Sequence, residues 1–265
     1  MRTRWAGWSE EEIAEGVARL DGVRDRVLDG ARIAPGQTVV DVGAGTGLLT
    51  LGAVGRVGPE GEVVAVDISV DALEELRRLS AAPNIFYLVG SADVLPLPDA
   101  SVDAVLTRSV LIYLRDKAEA AREFFRVLRR GGRFSVFEPI NSRNLLLHRA
   151  LDLAPLGELA ARLGAWIEDF YRAPRDTMLD FDENDLARWF ENAGFDGVDS
   201  HLGAQEDAIP GHRYLKQVGA PGRPTLLQRL EAAFTPEDVA QIVGFLEERA
   251  IPVRFPHLFL AGSKP

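Results

Sequence analysis

The stretch "VVDVGAGTGLLTLG", Val39 to Gly52, decides how this chain folds. An apolar run carrying one carboxylate, Asp41, ends in a turn built from Gly43, Gly45 and Gly47, and the turn opens into helical text. Strand, glycine turn and helix in that order commonly hold a nucleotide, because backbone amides at a helix start can meet it closely. A dinucleotide fingerprint needs G-x-G-x-x-G, with the third glycine letting helix and strand pack. Here the spacing is G-x-G-x-G and position 48 is leucine, so the hydride-transfer pattern lacks its third glycine. No Lys-Ser/Thr follows Gly47, which removes the P-loop. The short turn suits a ligand without a pyrophosphate.

Working outward, apolar runs of about six residues alternate with helical segments, the pattern of a parallel sheet covered on both faces. "TVVDVG", "EVVAVDIS", "IFYLVGSA", "VDAVLTRSV" and "RFSVFEP" are the first five strands. Val70 to Ala81 is predicted as a helix with Leu73, Leu76 and Leu79 on one side, and "AAREFFRVLRRGG" as a helix with a glycine stop. Before the first strand, Ser9 and Glu12 form a capping box, which predicts a helix from Glu10 to about Leu20 and a second from Val23 to Gly30. In such sheets ligands gather at the carboxyl ends of the strands. Asp41, Asp67, Ala92, Asp93, Arg108 and Glu138 all fall there. After Pro139 the rhythm breaks, and residues 141–180 hold helical text rich in leucine and aromatics. "DENDLARWFENAGF" then restores a sheet-covering helix and "GVDSHLGA" a sixth strand. A second insertion, 206–250, includes a helix that Thr235 can cap, and "FPHLFLAGSKP" reads as a seventh strand.

Composition narrows the function. The chain has 265 residues, a hydrophobic fraction of 46% and a net charge of −10, with no lysine/arginine run. Nucleic-acid backbones and anionic membranes demand clustered positive charge, so neither is the expected partner. Cysteine is absent, which excludes a disulfide framework, a thiolate nucleophile and a cysteine zinc site. The start, "MRTRWAGWSEEE", lacks the apolar core of a signal peptide, and no apolar run is long enough to span a bilayer, so a cytoplasmic protein is expected. No metal site is expected.

"DVGAGTG" resembles the first motif of class I S-adenosylmethionine-dependent methyltransferases. The motifs that follow resemble the same family in the same order, and "FFRVLRRGGRFSVFEP" is similar to its ubiquinone/menaquinone-methyltransferase-like branch. The resemblance runs from Val39 to Pro139 and more loosely through the last strands. It implies an α/β, Rossmann-like fold: a seven-stranded, mostly parallel sheet with an antiparallel last strand, helices on both faces and a helical cap inserted after the fifth strand. It also implies S-adenosyl-L-methionine as cofactor, held by Asp41, Gly43, Ala44, Gly45, Thr46 and Gly47. Asp67 would grip the ribose, with Ile68 beside it. Ala92 and Asp93 would read the adenine, and Arg108 would lie by the methionyl part. The domain plan is a helical lid over 1–34, in which Trp5 and Trp8 could close over the cofactor or pack on the body. The methyltransferase domain then spans 35–265, with the cap at 141–180 and the second insertion at 206–250.

Each of these residues has a plainer use. The glycines can serve a tight turn alone, Asp67 can cap the following helix, and Asp93 can be a loop acid. Two side chains are candidates for catalysis: Glu138 at the end of the fifth strand and His148 in the cap, the alternatives being a strand end and a polar residue on an exposed helix face. The expected activity is methyl transfer by in-line displacement to oxygen, carbon or nitrogen of a small-molecule acceptor, with a homodimer among the possible assemblies. A non-catalytic S-adenosylmethionine-binding regulator or partner subunit is the rival, and a nicotinamide oxidoreductase is disfavoured by Leu48.

Overall fold

The structure is a computed structural model that describes residues 9–172, 176–217 and 222–265. Trp5 and Trp8, read above as closing over the cofactor or packing on the body, lie outside the described residues. Seven strands form one sheet: β1 (Thr38–Val42), β2 (Glu62–Asp67), β3 (Ile85–Val89), β4 (Val102–Arg108), β5 (Leu128–Pro139), β6 (Asp196–Pro210) and β7 (Ala250–Ser263). Their order is β3-β2-β1-β4-β5-β7-β6. The first five strands pair in parallel, as their continuous apolar text demands. At β7 the direction reverses. The start of β5 meets the end of β7 through Gly131 N–H to Lys264 C=O at 2.8 Å, and just past the end of β5 Ile140 N–H meets Pro256 C=O at 2.8 Å. The chain winds outward from β1 through β2 to β3, then returns to β4 on the other side of β1. The order therefore switches between β1 and β4, where open α/β sheets place ligands.

The helices are α1 (Glu10–Ala31), α2 (Leu48–Val57), α3 (Val70–Leu79), α4 (Lys117–Val127), α5 (Leu147–Ala150), α6 (Glu158–Tyr171), α7 (Glu183–Asn192), α8 (Gly211–Tyr214), α9 (Leu226–Ala233) and α10 (Pro236–Glu247). Alternate strand residues face opposite layers. Val39, Val63, Ala104, Leu106 and Phe137 pack with Val27 and Leu28 of α1 and Leu49 and Ala53 of α2. On the opposite face Phe134 of β5 stacks on Phe190 of α7, with ring centroids 4.3 Å apart.

Two units emerge from the packing, one comprising the described parts of 1–139, 183–202 and 258–265, the other 140–182 and 203–257. The second unit has its own apolar core, in which Leu159, Leu163 and Ile167 of α6 join Leu230 of α9 and Ile242, Phe245 and Leu246 of α10. The leucine–isoleucine stripe at helical spacing makes α6 the spine of that unit.

Three expectations change. The N-terminal segment forms one helix, α1, rather than two, and it runs through Gly22. A glycine inside a helix costs about 1 kcal/mol relative to alanine, which burial of Val27, Leu28 and Ala31 exceeds. The expected glycine stop of α4 at 131–132 belongs to β5 instead, because the strand starts at Leu128. Gly131 and Gly132 bond there to Lys264 on β7's trailing end. Finally β6 and β7 extend into the region read as the second insertion, β6 to Pro210 and β7 from Ala250. Antiparallel partners supply their hydrogen bonds, and nothing in the local text announces that.

Candidate active site

The strand registers bring the singled-out residues to one edge of the sheet. Asp67 ends β2 opposite Val89 of β3. Thr107 of β4 lies opposite Val42 of β1 and Val136 of β5, and Arg108 opposite Phe137, one residue before Glu138. Thr107 Oγ1 donates to Val42 C=O at 2.8 Å, a tie between β4 and the last residue of β1.

Beyond Val42 the backbone turns through Gly43, Gly45 and Gly47, with φ of 72°, 53° and 95°. Positive φ favours glycine at all three. Two of them also have no room for a side chain. A Cβ on Gly43 would lie 2.1 Å from Val110 Cγ2, and one on Gly47 2.2 Å from Leu76 Cδ1. Beside Gly45 the space is open, with nothing within 4 Å of such a carbon. The amides of Gly43 and Ala44 both donate to Val66 C=O, at 2.7 and 3.0 Å, which anchors the turn to β2. Ala44 is buried, Thr46 exposed.

Asp67 completes the turn. One carboxylate oxygen accepts the Gly45 N–H and the other the Ser69 N–H, each at 2.8 Å. Each oxygen keeps a free acceptor position, since a carboxylate offers about four in all. The cap of α3 comes from Ser69, which accepts from Ala72 N, so Asp67 is not spent on that helix. Asp41 lies deeper. It is buried and accepts the Thr50 hydroxyl at 2.6 Å, which ties α2 to β1. Burial raises its pKa to about 6, against the lowering effect of Thr50, with the charge of Asp67 adding to the rise.

At the end of β3, Ser91 Oγ donates to Asp93, and Ala92 between them is buried. Ile68 is 75% exposed, an unusual position for isoleucine. The loop that follows is held by two α4 residues that the sequence did not single out. Glu123 accepts Leu95 N–H at 2.7 Å, and Arg126 donates to the Leu95 and Leu97 carbonyls at 3.1 and 2.8 Å. Arg108 stands over the Phe137 ring, 5.7 Å from its centroid. Glu138 is fully buried and accepts three consecutive backbone N–H groups, Val110 and Leu111 at 2.8 and 2.9 Å and Ile112 at 3.2 Å.

His148 belongs to the second unit, within α5. Its Nε2 lies 3.0 Å from Glu168 of α6, while its Nδ1 is buried without a hydrogen-bond partner. Glu168 also accepts from Arg149 at 2.6 Å, and this bond above all holds its carboxyl below the usual range. Neither Thr50, Val110, Glu123, Arg126 nor Glu168 carries a local signal, since each matters only through a partner distant in sequence. Among the described residues no His/Cys/Asp/Glu cluster is fit to hold a metal ion, and no helix is long and apolar enough to cross a membrane.

Known proteins resemble this chain in sequence and fold. Residues 40–136 match the family described as a methyltransferase domain. Over 185 residues the chain is 33% identical to the ubiquinone/menaquinone biosynthesis C-methyltransferase UbiE of Klebsiella pneumoniae, covering 66% of this chain and 72% of that protein. The protein of the same name from Escherichia fergusonii is 32% identical over 180 residues, 65% of this chain and 71% of its own. Among solved structures, YcgJ of Bacillus subtilis superposes with a TM-score of 0.60 at 20% identity, covering 93% of this chain and 98% of that one. A geranyl diphosphate methyltransferase in complex with the methyl donor superposes with a TM-score of 0.52 at 16% identity, covering 92% and 85%. Both structural likenesses show the fold.

The chain belongs to the class I S-adenosylmethionine-dependent methyltransferases. Its cofactor is S-adenosylmethionine, and the residues present fit that molecule. The space beside Gly45 is one that a side chain would fill. Helix α2 starts from Gly47 without a side-chain cap, whereas Ser69 caps α3 and Asp116 caps α4. Uncapped amides at a helix start suit a carboxylate tail, and two free acceptor positions on Asp67 suit a pair of sugar hydroxyls.

Proposed function

We propose that this enzyme transfers the methyl group to a small-molecule acceptor by in-line displacement, and that its donor site is the edge formed by Gly43–Gly47, Asp67, Ala92, Asp93 and Arg108. The observation that carries this assignment is Asp67, whose two oxygens are each fixed by one backbone amide and each left with a position for a hydroxyl. When bound, the donor supplies a sulfonium that makes its methyl carbon electrophilic without a metal. The protein's part is to hold and orient. The amides of the glycine turn and of the start of α2 receive the amino-acid tail, and Asp67 receives the ribose. Ala92 N–H and the Asp93 carboxylate meet the adenine edge, Ile68 covers its face, and the backbone of Arg108 borders the methionyl chain. Fixing the donor this way replaces a bimolecular encounter by an oriented one, a large part of the barrier reduction open to such an enzyme.

The acceptor is assigned to the helical unit of 140–182 and 203–257, where His148 is the candidate proton acceptor. An ionised Glu168 only accepts hydrogen bonds, so Nε2 of His148 is the donor in that pair. In this reading His148 would take the proton that an acceptor hydroxyl or amine loses. The net charge of −10 disfavours a nucleic-acid acceptor.

Calorimetric titration with S-adenosylhomocysteine tests the donor site. Wild type is expected to bind and Asp67→Ala to bind roughly 100-fold more weakly, the loss of two hydrogen bonds to a charged group. Equal affinity in the two proteins would overturn the assignment.

A further inference from the structure

Asp41 and Glu138 are the buried carboxylates among the described residues, and the donor-site assignment leaves Glu138 without a part. Its surroundings are unusual. Val110, Leu111 and Ile112 aim three successive N–H groups at its two oxygens, an arrangement that elsewhere binds external anions. The turn that presents them is held in an uncommon conformation. Ser109, directly before it, has φ 56°, a left-handed value that is unfavourable for a non-glycine residue. Ser109 N–H is secured by Phe137 C=O at 2.8 Å, one residue before Glu138. The side chain that emerges from this turn, Val110, is the one occupying the space a Cβ on Gly43 would need.

We propose that Glu138 is a positioning residue for the methyl donor: its carboxylate gathers the 109–112 turn and so holds Val110 against Gly43, fixing the glycine turn in its binding shape. This rests on the donor-site assignment above. The chain of contact is continuous, from Glu138 to the amides, from Val110 to Gly43, and from Gly43 N–H to Val66 C=O. With both carboxylate oxygens engaged by protein amides, Glu138 is bound to the scaffold rather than presented to a reactant.

Only the ionised carboxylate serves all three amides. A protonated carboxyl, or the amide of glutamine, keeps one oxygen for Val110 and Leu111 but turns a donor toward the Ile112 N–H. Burial pushes the Glu138 pKa up to about 7, against the lowering effects of the three amides and of Arg108. The titratable groups on the elements around it in the same unit are Arg108 on β4 and Tyr113 in the turn that follows. Of these, Arg108 is the one whose charge acts on Glu138. Glu138→Gln is therefore a lasting imitation of the protonated state.

The test is calorimetry of the full chain with S-adenosylhomocysteine at about pH 6 and about pH 8, in wild type and Glu138→Gln. Wild type is expected to bind about tenfold more tightly at the higher pH, and Glu138→Gln to bind at both with the low-pH wild-type affinity. Asp41 titrates in both proteins and cancels in the comparison. A glutamine variant that matches wild type at both pH values, or follows its pH response in parallel, overturns the proposal and leaves the donor site standing. Absence of wild-type binding at both pH values overturns the donor site itself. Val110→Ala keeps the test decisive if the glutamine variant does not fold. Severing the contact with Gly43 should weaken binding several-fold and flatten the pH response, and an unchanged affinity and pH response would overturn the proposal.

Discussion

Asp67 shows how a single side chain can fix a turn and, in the proposed donor site, keep positions for a ligand. Its bonds to Gly45 and Ser69 join the glycine turn to the end of β2. Of the residues the sequence singled out, Asp67 and the three glycines were legible because their type and spacing limit what they can do. Asp41 was legible as a residue but not as a partner of Thr50, nine positions away and inside a helix. One sequence shows side-chain chemistry and not pairing, so Val110 and Glu168 stayed hidden for the same reason. Two predictions belong here. Gly43→Ala combines positive φ with a carbon 2.1 Å from Val110, and should destabilise the protein by about 2–4 kcal/mol in denaturant unfolding. His148→Ala should reduce methyl transfer about 100-fold while leaving S-adenosylhomocysteine affinity unchanged, as measured by turnover and calorimetry on the same preparation.

Secondary elements were readable where burial repeats along the chain. The runs of β1, β2 and β4 are apolar on both faces because helices cover both, and α3 keeps Leu73 and Leu76 at helical spacing. Legibility failed where a distant partner decides the outcome. β6 and β7 lengthen because they pair with each other, and α1 crosses Gly22 because its far end is buried. The loop after β3 is a further case, since α4 imposes its shape through Glu123 and Arg126. Arg126→Ala should release that loop and increase hydrogen exchange at Leu95 and Leu97. It should also weaken donor affinity several-fold, because the loop loses its bonds from Arg126 to the Leu95 and Leu97 carbonyls.

At the scale of the whole molecule there are two units: one places residues at strand ends, and the other packs α6, α9 and α10 around its own apolar core. Replacing residues 145–171 by a short linker should abolish turnover while the donor still binds. Stability should depend on pH in a definite sense. Asp41 and Glu138 have folded pKa values raised to about 6 and about 7, above the usual 3.8 and 4.5. Raised acids favour the fold fully below their unfolded pKa, and that contribution is lost as pH rises through the folded value. The melting temperature should therefore fall between about pH 5 and pH 8, with up to roughly 3 kcal/mol from Glu138, and Glu138→Gln should flatten the curve. The central claim is that the carboxyl edge of β1, β2 and β3 cradles an adenosyl donor. A crystal structure with S-adenosylhomocysteine measures it most directly. The ribose hydroxyls should lie within hydrogen-bond distance of Asp67 with the tail at the start of α2, and a ligand seated elsewhere with Asp67 turned from it would contradict the account.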